Sequence, residues 1–130
     1  MKIMIVDDHQ EMRRLLRNAL RHMAAEFSEC SDGSEAIATF ARERPDWTIM
    51  DVAMKPIDGL EATRQIRALV PDARILVLTQ HDSPAIRRAA QDAGASAFLS
   101  KDQLTQIEHV LVAPRGVQPE SEMPRGPKKM

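Results

Sequence analysis

The amino-acid sequence predicts an α/β fold: a doubly wound sheet of five parallel strands in the order 2-1-3-4-5, with helices on both faces. Short apolar runs rich in β-branched residues alternate five times with segments whose apolar residues recur every three or four positions. The connections between them are short, as in right-handed strand–helix–strand units. Residues 74–79 are almost continuously apolar, which is typical of a central strand that is covered on both faces.

The first half of the chain is predicted to contain three strands, at residues 2–6, 27–30 and 47–50. A helix is predicted from about residue 10 to 25. Its apolar face consists of Met12, Leu15, Leu16, Ala19, Leu20 and Met23. A second helix is predicted to begin at Asp32, which forms a capping-box pair with Glu35, and to end before Pro45.

In the second half, Asp58 is predicted to cap a helix in which Ile66 and Leu69 face inward. The strand at residues 74–79 follows, and the next helix is predicted to run from the Ser83-Pro84 pair to Gly94. A short last strand at residues 97–99 leads to a helix that Asp102 is expected to cap and that ends near residue 112. Residues 1–113 are thus expected to form one domain, and the proline-rich residues 114–130 a disordered tail.

Composition and charge exclude several classes of function. The net charge of the 130 residues is −1, and residues 114–130 hold four basic and two acidic side chains, which leaves −3 on residues 1–113. This balance predicts no direct nucleic-acid binding by the chain. No apolar run approaches the roughly 20 residues of a membrane span, so no membrane association is expected. A single cysteine, Cys30, excludes an internal disulfide, and we expect a cytoplasmic protein.

Polar side chains follow the predicted strands at one edge of the sheet. Asp7 and Asp8 follow strand 1, Asp51 follows strand 3, Thr79 ends strand 4 and Lys101 follows strand 5. Ligand sites of open parallel sheets lie at this edge, where the strand order reverses, so the three carboxylates are expected to converge. Their mutual repulsion predicts a divalent cation, and oxygen ligands suit Mg²⁺, or Mn²⁺ in its place, better than zinc.

A carboxylate beside Mg²⁺ and a lysine can act as the nucleophile toward a phosphoryl group and form an aspartyl-phosphate. In the transition state, negative charge spreads over three phosphoryl oxygens. Mg²⁺ could neutralise one oxygen, the Lys101 ammonium another, and the Thr79 hydroxyl or backbone N–H groups the third. The residue types and their order therefore predict phosphoryl transfer to Asp51.

Over residues 2–112 the chain resembles the receiver domain of two-component response regulators, which has a flavodoxin-like fold. The matching features are the acid pair at the end of strand 1, the loop from Asp51 through Met54 to Asp58-Gly59, Thr79, Gly94-Ala95 and Lys101. Each feature alone is common, but together and in this order they are specific. One departure is Lys55, which separates Met54 from Pro56 where the family usually has proline.

The resemblance implies a role for each matching residue. Asp51 would be the phosphoacceptor, and Mg²⁺ would be bound by Asp8, Asp51 and the Ala53 carbonyl, with Asp7 acting through water. Lys101 and Thr79 would stabilise the phosphoryl group. The switch would consist of Thr79 and Phe98. Ala53 and His81 occupy positions that influence the lifetime of the phosphoryl group in this family.

The resemblance also implies partners. The phosphoryl donor would be a histidine kinase or a histidine phosphotransfer protein, and the output would be a phosphorylation-dependent homodimer or contact with an output protein. The chain would be a signalling domain rather than an enzyme, with slow self-dephosphorylation at most. Many receivers with a Lys-Asp pair after strand 5 precede a helix-turn-helix domain, so the chain could be an excised receiver.

Two other functions stay open on the residues alone. A non-switching interaction module would share the fold, but it would not need the five polar residues at the strand ends. A hydrolase that forms an aspartyl-phosphate would need a second acid two residues after the nucleophile, and that position is Ala53. The arginine row of residues 13, 17 and 21 could dock an acidic partner or be a solvated face, and His9 could be a ligand or a surface residue.

Overall fold

The computed structural model describes residues 1–23 and 26–113, in which strands and helices alternate along the chain. The elements are β1 (Lys2–Val6), α1 (Gln10–Ala19), β2 (Glu26–Cys30), α2 (Gly33–Glu43), β3 (Trp47–Met50), α3 (Gly59–Leu69), β4 (Ile75–Thr79), α4 (Pro84–Ala93), β5 (Ala97–Ser100), a 3₁₀ helix (Lys101–Gln106) and α5 (Ile107–Val112). Residues 114–130, the predicted tail, lie outside the described residues.

The five strands form one sheet in the order β2-β1-β3-β4-β5, and every neighbouring pair is parallel. This confirms the predicted fold class. Alternate residues of each strand point to opposite faces, so each strand contributes to two apolar layers. Because β1 and β3 are neighbours although β2 lies between them in sequence, the strand order reverses beside β1, and the ends of β1 and β3 meet there.

The two apolar layers are packed by different helices. On one face, Leu16 and Leu20 from the α1 segment and Val110 of α5 pack on Ile5 and Leu78 of the sheet. On the other face, α2 and α3 pack through Ala36, Phe40, Ala62 and Ile66. A smaller cluster beside this second layer joins α4 to β4 and β5 through Ala90, Val77 and Phe98. Burial of both faces explains why β1, β3 and β4 are mostly apolar, whereas the edge strand β2 carries the exposed Glu26 and Glu29.

The predicted helix starts are found where the sequence has capping residues. The side chains of Asp32, Asp58 and Ser83 each accept a hydrogen bond from the backbone N–H three residues later. Each such cap contributes about 1 kcal/mol. The predicted capping box at Asp32 is only half formed, because the Glu35 carboxylate accepts from the backbone N–H of Ser31 over 2.8 Å. Gly94 ends α4 with a φ of 101°, a conformation that favours glycine.

Four details of the helix predictions are wrong. Helix α1 ends at Ala19 and not near residue 25, because the chain turns at residues 20–23. Leu15 and Leu69, both predicted to face inward, are 49% and 63% exposed. Each lies at the margin of its apolar stripe, and the sheet covers only the centre of that stripe. Ala19, also predicted on the buried face of α1, is exposed.

The segment after β5 differs most from its prediction. Asp102 does not cap an α-helix, since the Ser100 side chain accepts from the Asp102 N–H and caps a 3₁₀ helix instead. Gln103 completes that capping box by accepting from the Ser100 N–H over 3.0 Å. The α-helical part begins only at Ile107. The early, tight turn brings Lys101 directly out of the strand and over the edge of the sheet.

Trp47 begins β3, at the edge of the sheet opposite to the carboxyl ends of the strands. Its side chain is buried, and the Arg74 guanidinium lies 5.0 Å from the centre of its ring. Such a stacked cation typically contributes about 0.5–1 kcal/mol. Trp47 is therefore a packing residue, as its place at the start of the strand suggests.

Candidate functional site

Two buried carboxylates, Asp7 and Asp51, lie side by side at the carboxyl edge of the sheet. β1 and β3 pair with Val6 opposite Met50, so the residues that follow these strands emerge together. The Asp51 N–H donates to the Val6 carbonyl over 3.0 Å and extends this pairing into the site. Asp7 is 2% and Asp51 is 4% exposed, whereas the Asp8 side chain is 42% exposed. Carboxylates buried this deeply need a cation beside them.

Lys101 supplies one such cation. Its Nζ lies 2.9 Å from Oδ2 of Asp7 and 3.5 Å from Oδ1 of Asp51, and its side chain is largely buried. The capping of the 3₁₀ helix by Ser100 and Gln103 fixes the backbone from which this side chain extends. The ammonium therefore bridges the two carboxylates, as its place after strand 5 suggests.

The pKa of the Asp51 carboxyl is raised above its ordinary value of 3.8, mainly because burial disfavours its charged form. The neighbouring Asp7 carboxylate raises this pKa further. The Lys101 ammonium and a hydrogen bond from the Val52 backbone N–H lower it, but they do not outweigh the first two effects. Additional positive charge at the site would therefore favour the ionised carboxylate.

The side chains around Asp51 have the composition of a divalent-cation site. Ligand atoms of Asp7, Asp8, His9 and Asp51 all lie within 4.8 Å of one another. Three carboxylates face the single ammonium of Lys101, so a doubly charged cation balances the group. Carboxylate oxygens are the ligands that Mg²⁺ prefers, and the residues present fit that ion.

The loop after Asp51 returns close to its own start. The Gly59 N–H donates to the Val52 carbonyl over 3.0 Å. A Cβ atom at Gly59 would lie 1.8 Å from the Asp51 carbonyl oxygen, so a larger residue could not occupy this position. The Lys55–Pro56 peptide bond within the loop is cis, and both residues are exposed. Lys55, the departure noted in the sequence, thus lies on the outside of the loop.

The predicted switch residues are buried on the adjoining strands. Thr79 is fully buried, and its hydroxyl oxygen accepts from the backbone N–H of the exposed His81 over 3.0 Å. Phe98 is 1% exposed, and the Arg87 guanidinium lies 4.6 Å from the centre of its ring. Arg87 in turn binds Asp82 through two hydrogen bonds of 3.0 and 3.2 Å. The loop after Thr79 is thereby linked to Phe98.

Comparison with known proteins identifies the family. The model of the family described as response regulator receiver domain matches residues 3–111. The chain belongs to this family. Among curated relatives, the response regulator MprA of Mycobacterium leprae is 44% identical over 101 residues, which are 78% of this chain and 44% of MprA. MprA of Mycobacterium avium is 43% identical over the same share of each chain. This receiver therefore spans less than half the length of these relatives.

Solved structures agree with the fold of this receiver domain. A LuxR-family two-component response regulator from Aurantimonas is 32% identical, with a TM-score of 0.77, over 92% of this chain and 90% of that one. The chemotaxis protein CheY4 of Vibrio cholerae is 27% identical, with a TM-score of 0.77, over 85% of this chain and 98% of that one. Receiver domains are signalling domains that bind Mg²⁺ at a cluster of aspartates and work with histidine kinases.

The receiver's predicted site residues are only partly brought together by direct contacts. Asp7, Asp8, Asp51 and Lys101 form one cluster. Thr79 lies at the same edge of the sheet, because it pairs with Ser100, the residue before Lys101. The predicted roles of these residues, of the exposed Ala53 and of the other loop positions stay predictions.

No described helix of the receiver is long and apolar enough to cross a membrane.

The contact of Arg13 with the site was not predicted from the sequence. Arg13 donates to the Asp7 carbonyl over 2.7 Å and to the Glu29 carboxylate over 3.0 Å. Arg17 donates to the same carboxylate over 2.9 Å. Two members of the row that includes Arg13, Arg17 and Arg21 are thus tied to Glu29 of β2, and the use of the row as a docking surface stays a prediction. Its spacing of four residues gave no sign of Glu29, which lies on another element.

Proposed function

We propose that phosphorylation of Asp51 switches this receiver, with a histidine kinase or a histidine phosphotransfer protein as the donor. One observation carries the proposal. The buried Asp51 carboxylate lies 3.5 Å from the Lys101 ammonium and within the acidic cluster that includes Asp8. The site therefore combines a nucleophile, a cation for the phosphoryl oxygens and ligands for a divalent metal.

In the proposed transfer, an Asp51 oxygen attacks phosphorus while the bond from phosphorus to the donor nitrogen breaks. The nitrogen leaves with the bonding electron pair. Lys101 moves its ammonium from the Asp51 carboxylate to one phosphoryl oxygen, and the Thr79 hydroxyl donates to another. When bound, Mg²⁺, or Mn²⁺ in its place, would neutralise part of the negative charge of the phosphoryl group. We propose Asp8, Asp51 and the Ala53 carbonyl as its ligands, with Asp7 acting through water.

Phosphorylation and its metal requirement can be tested together. Incubation with acetyl phosphate and Mg²⁺ is expected to add one phosphate per chain, as measured by intact-mass spectrometry. Removal of Mg²⁺ with EDTA, or the substitution Asp8→Asn, should slow labelling at least about tenfold, because the charge of the phosphoryl oxygens then lacks a counterion. Replacement of the exposed Asp72 by Asn is the matched control. Labelling that is equally fast in EDTA and in Asp8→Asn would contradict the metal assignment.

We further propose that Thr79 and Phe98 transmit the phosphorylation to the surface formed by α4, β5 and α5. A phosphoryl group that draws the Thr79 hydroxyl inward breaks its 3.0 Å contact with the His81 N–H and moves the loop that holds Asp82. The two Asp82–Arg87 hydrogen bonds then shift, and so does the guanidinium that covers Phe98. Local charge thereby biases a two-state element.

NMR spectroscopy tests this switch. With Mg²⁺ and beryllium fluoride as the phosphoryl mimic, amide shift changes are expected at Asp82, Arg87 and Phe98. In Thr79→Ala the changes should stay within the loop that follows Asp51. Shifts confined to that loop in the unsubstituted chain would favour the alternative, a non-switching interaction module.

The output of this receiver is proposed to be protein contact rather than DNA binding. The formal charge of −3 on residues 1–113 opposes contact with phosphates. A second copy of the chain or a separate output protein would bind the switched surface. Since the chain matches 44% of MprA, an output domain elsewhere in a longer protein is compatible with this proposal. We propose a cytoplasmic location and slow self-dephosphorylation at most, with Ala53 and His81 setting its rate.

A further inference from the structure

The His9 ring is turned into the acidic cluster and not away from it. Its Nδ1 lies 2.9 Å from Oδ1 of Asp8 and 3.1 Å from Oδ1 of Asp7. His9 is the fourth member of the group with Asp7, Asp8 and Asp51 in which each residue offers one ligand atom and these atoms lie within 4.8 Å of one another. A nitrogen therefore faces the same point as the carboxylate oxygens.

The backbone holds His9 in this position. His9 is the N-cap residue of α1, and its carbonyl accepts from the N–H groups of Met12 and Arg13 over 3.1 Å each. Its own N–H donates to Oδ1 of Asp7 over 2.9 Å. These bonds fix the main chain of His9, while its side chain is 66% exposed and is placed by its contacts with the two carboxylates.

An imidazole nitrogen changes the metal preference of an oxygen site. Mg²⁺ and Ca²⁺ take oxygen ligands, whereas Mn²⁺, Co²⁺ and Ni²⁺ also accept imidazole with rising affinity along that series. In the tautomer with its proton on Nε2, His9 presents the lone pair of Nδ1 to the cluster. In the other tautomer, the Nδ1–H donates to the two carboxylates and holds them together without a metal.

We propose that His9 Nδ1 is a ligand of the divalent cation and gives this receiver a preference for Mn²⁺, Co²⁺ or Ni²⁺ over Mg²⁺. The inference rests on the proposed metal site of Asp8 and Asp51. It adds a nitrogen ligand to a set otherwise composed of oxygens. The chain would then respond to the cellular availability of transition metals as well as to its phosphoryl donor.

Calorimetric titrations with Mg²⁺, Mn²⁺ and Co²⁺ test the preference. His9→Ala is expected to weaken Mn²⁺ and Co²⁺ binding at least about tenfold, since the loss of a partner even beyond the ligands costs about 10–100-fold. Mg²⁺ binding should change less than about twofold. His9→Asn keeps a polar side chain and a good N-cap without the imidazole, and the same loss is expected. His22→Ala, which changes an exposed histidine outside the acidic cluster, is the matched control and should leave all three affinities unchanged.

Pulsed electron paramagnetic resonance of bound Mn²⁺ gives a direct readout. Nitrogen modulation from a histidine is expected in the unsubstituted chain and should vanish in His9→Ala while Mn²⁺ stays bound. The absence of nitrogen modulation, or an equal change in the affinities for all three metals, would overturn this inference alone. Failure of the unsubstituted chain to bind Mg²⁺ or Mn²⁺ would instead overturn the proposed metal site and the inference with it.

Discussion

Asp51→Asn is expected to abolish phosphorylation by acetyl phosphate under conditions in which the unsubstituted chain gains one phosphate. The amide oxygen carries no charge and is a poor nucleophile, whereas the other buried acid of the cluster, Asp7, is already held by the His9 N–H and by Lys101. We expect labelling to fall below about one thousandth of the original rate, since a nucleophile that forms the covalent bond has no substitute. Intact-mass spectrometry with peptide mapping measures both the extent and the place of labelling.

Asp58→Asn provides the matched control for this experiment. Asp58 lies in the same loop, is exposed, and caps α3 through its side chain. Asparagine is an equally good N-cap, so the helix is preserved and labelling should continue at the original rate. A phosphate that persists in Asp51→Asn at a similar rate would place the acceptor elsewhere and refute the central proposal.

Lys101→Met is expected to lower the free energy of unfolding by about 3 kcal/mol at pH 7 without Mg²⁺. The substitution leaves the buried Asp7 and Asp51 carboxylates without the ammonium that lies 2.9 and 3.5 Å from them. Methionine keeps most of the apolar stem, so packing changes little. Urea denaturation measures the loss, and Lys55→Met, which removes an exposed lysine near the site, should cost less than about 0.5 kcal/mol.

The pH dependence distinguishes this cause from a packing defect. Burial raises the pKa of Asp51, so protonation of Asp51 favours the folded state. That stabilisation is complete below the ordinary pKa of 3.8 and is lost as the pH rises through the higher folded-state pKa. The difference between Lys101→Met and the original chain should therefore shrink as the pH falls, and saturating Mg²⁺ should reduce it at pH 7. A difference independent of both would point to packing.

The central strands were predictable from sequence because β1, β3 and β4 are short, mostly apolar runs whose two faces are both buried. The edge strand β2 gave a weaker signal, because Glu26 and Glu29 are exposed. The strand order 2-1-3-4-5 is that of the family the chain resembles, and it brings the polar ends of strands 1 and 3 side by side. The ends of the helices were less predictable, since the apolar period of α1 continues to Met23 after the backbone has already turned. The exposure of Leu15 and Leu69 was likewise not predictable from the apolar period. A periodic stripe gives the direction of the buried face but not its width, which depends on the neighbouring elements.

The types of the site residues and their place at one edge of the sheet were predictable, but the directions of their side chains were not. Parallel strands bring their carboxyl ends together, so Asp51 and Lys101 could be placed at one edge from sequence alone. The direction of the His9 ring and the contact from Arg13 to the Asp7 carbonyl depend on side-chain conformations. Arg13 is held by Glu29 of β2, which is distant in sequence, and the His9 ring contacts its neighbours Asp7 and Asp8 in a side-chain conformation that the residue pattern does not specify.

Trp47 provides an intrinsic fluorescence probe of folding. It is the sole tryptophan, and the sequence contains no tyrosine. Four steps along the strand at about 3.3 Å each separate its Cα from that of Asp51, about 13 Å in all. Its emission thus arises from the far end of the core, beneath Arg74. Fluorescence can follow denaturation of every variant described above without a label, while the chemistry at the acidic edge is followed by separate signals.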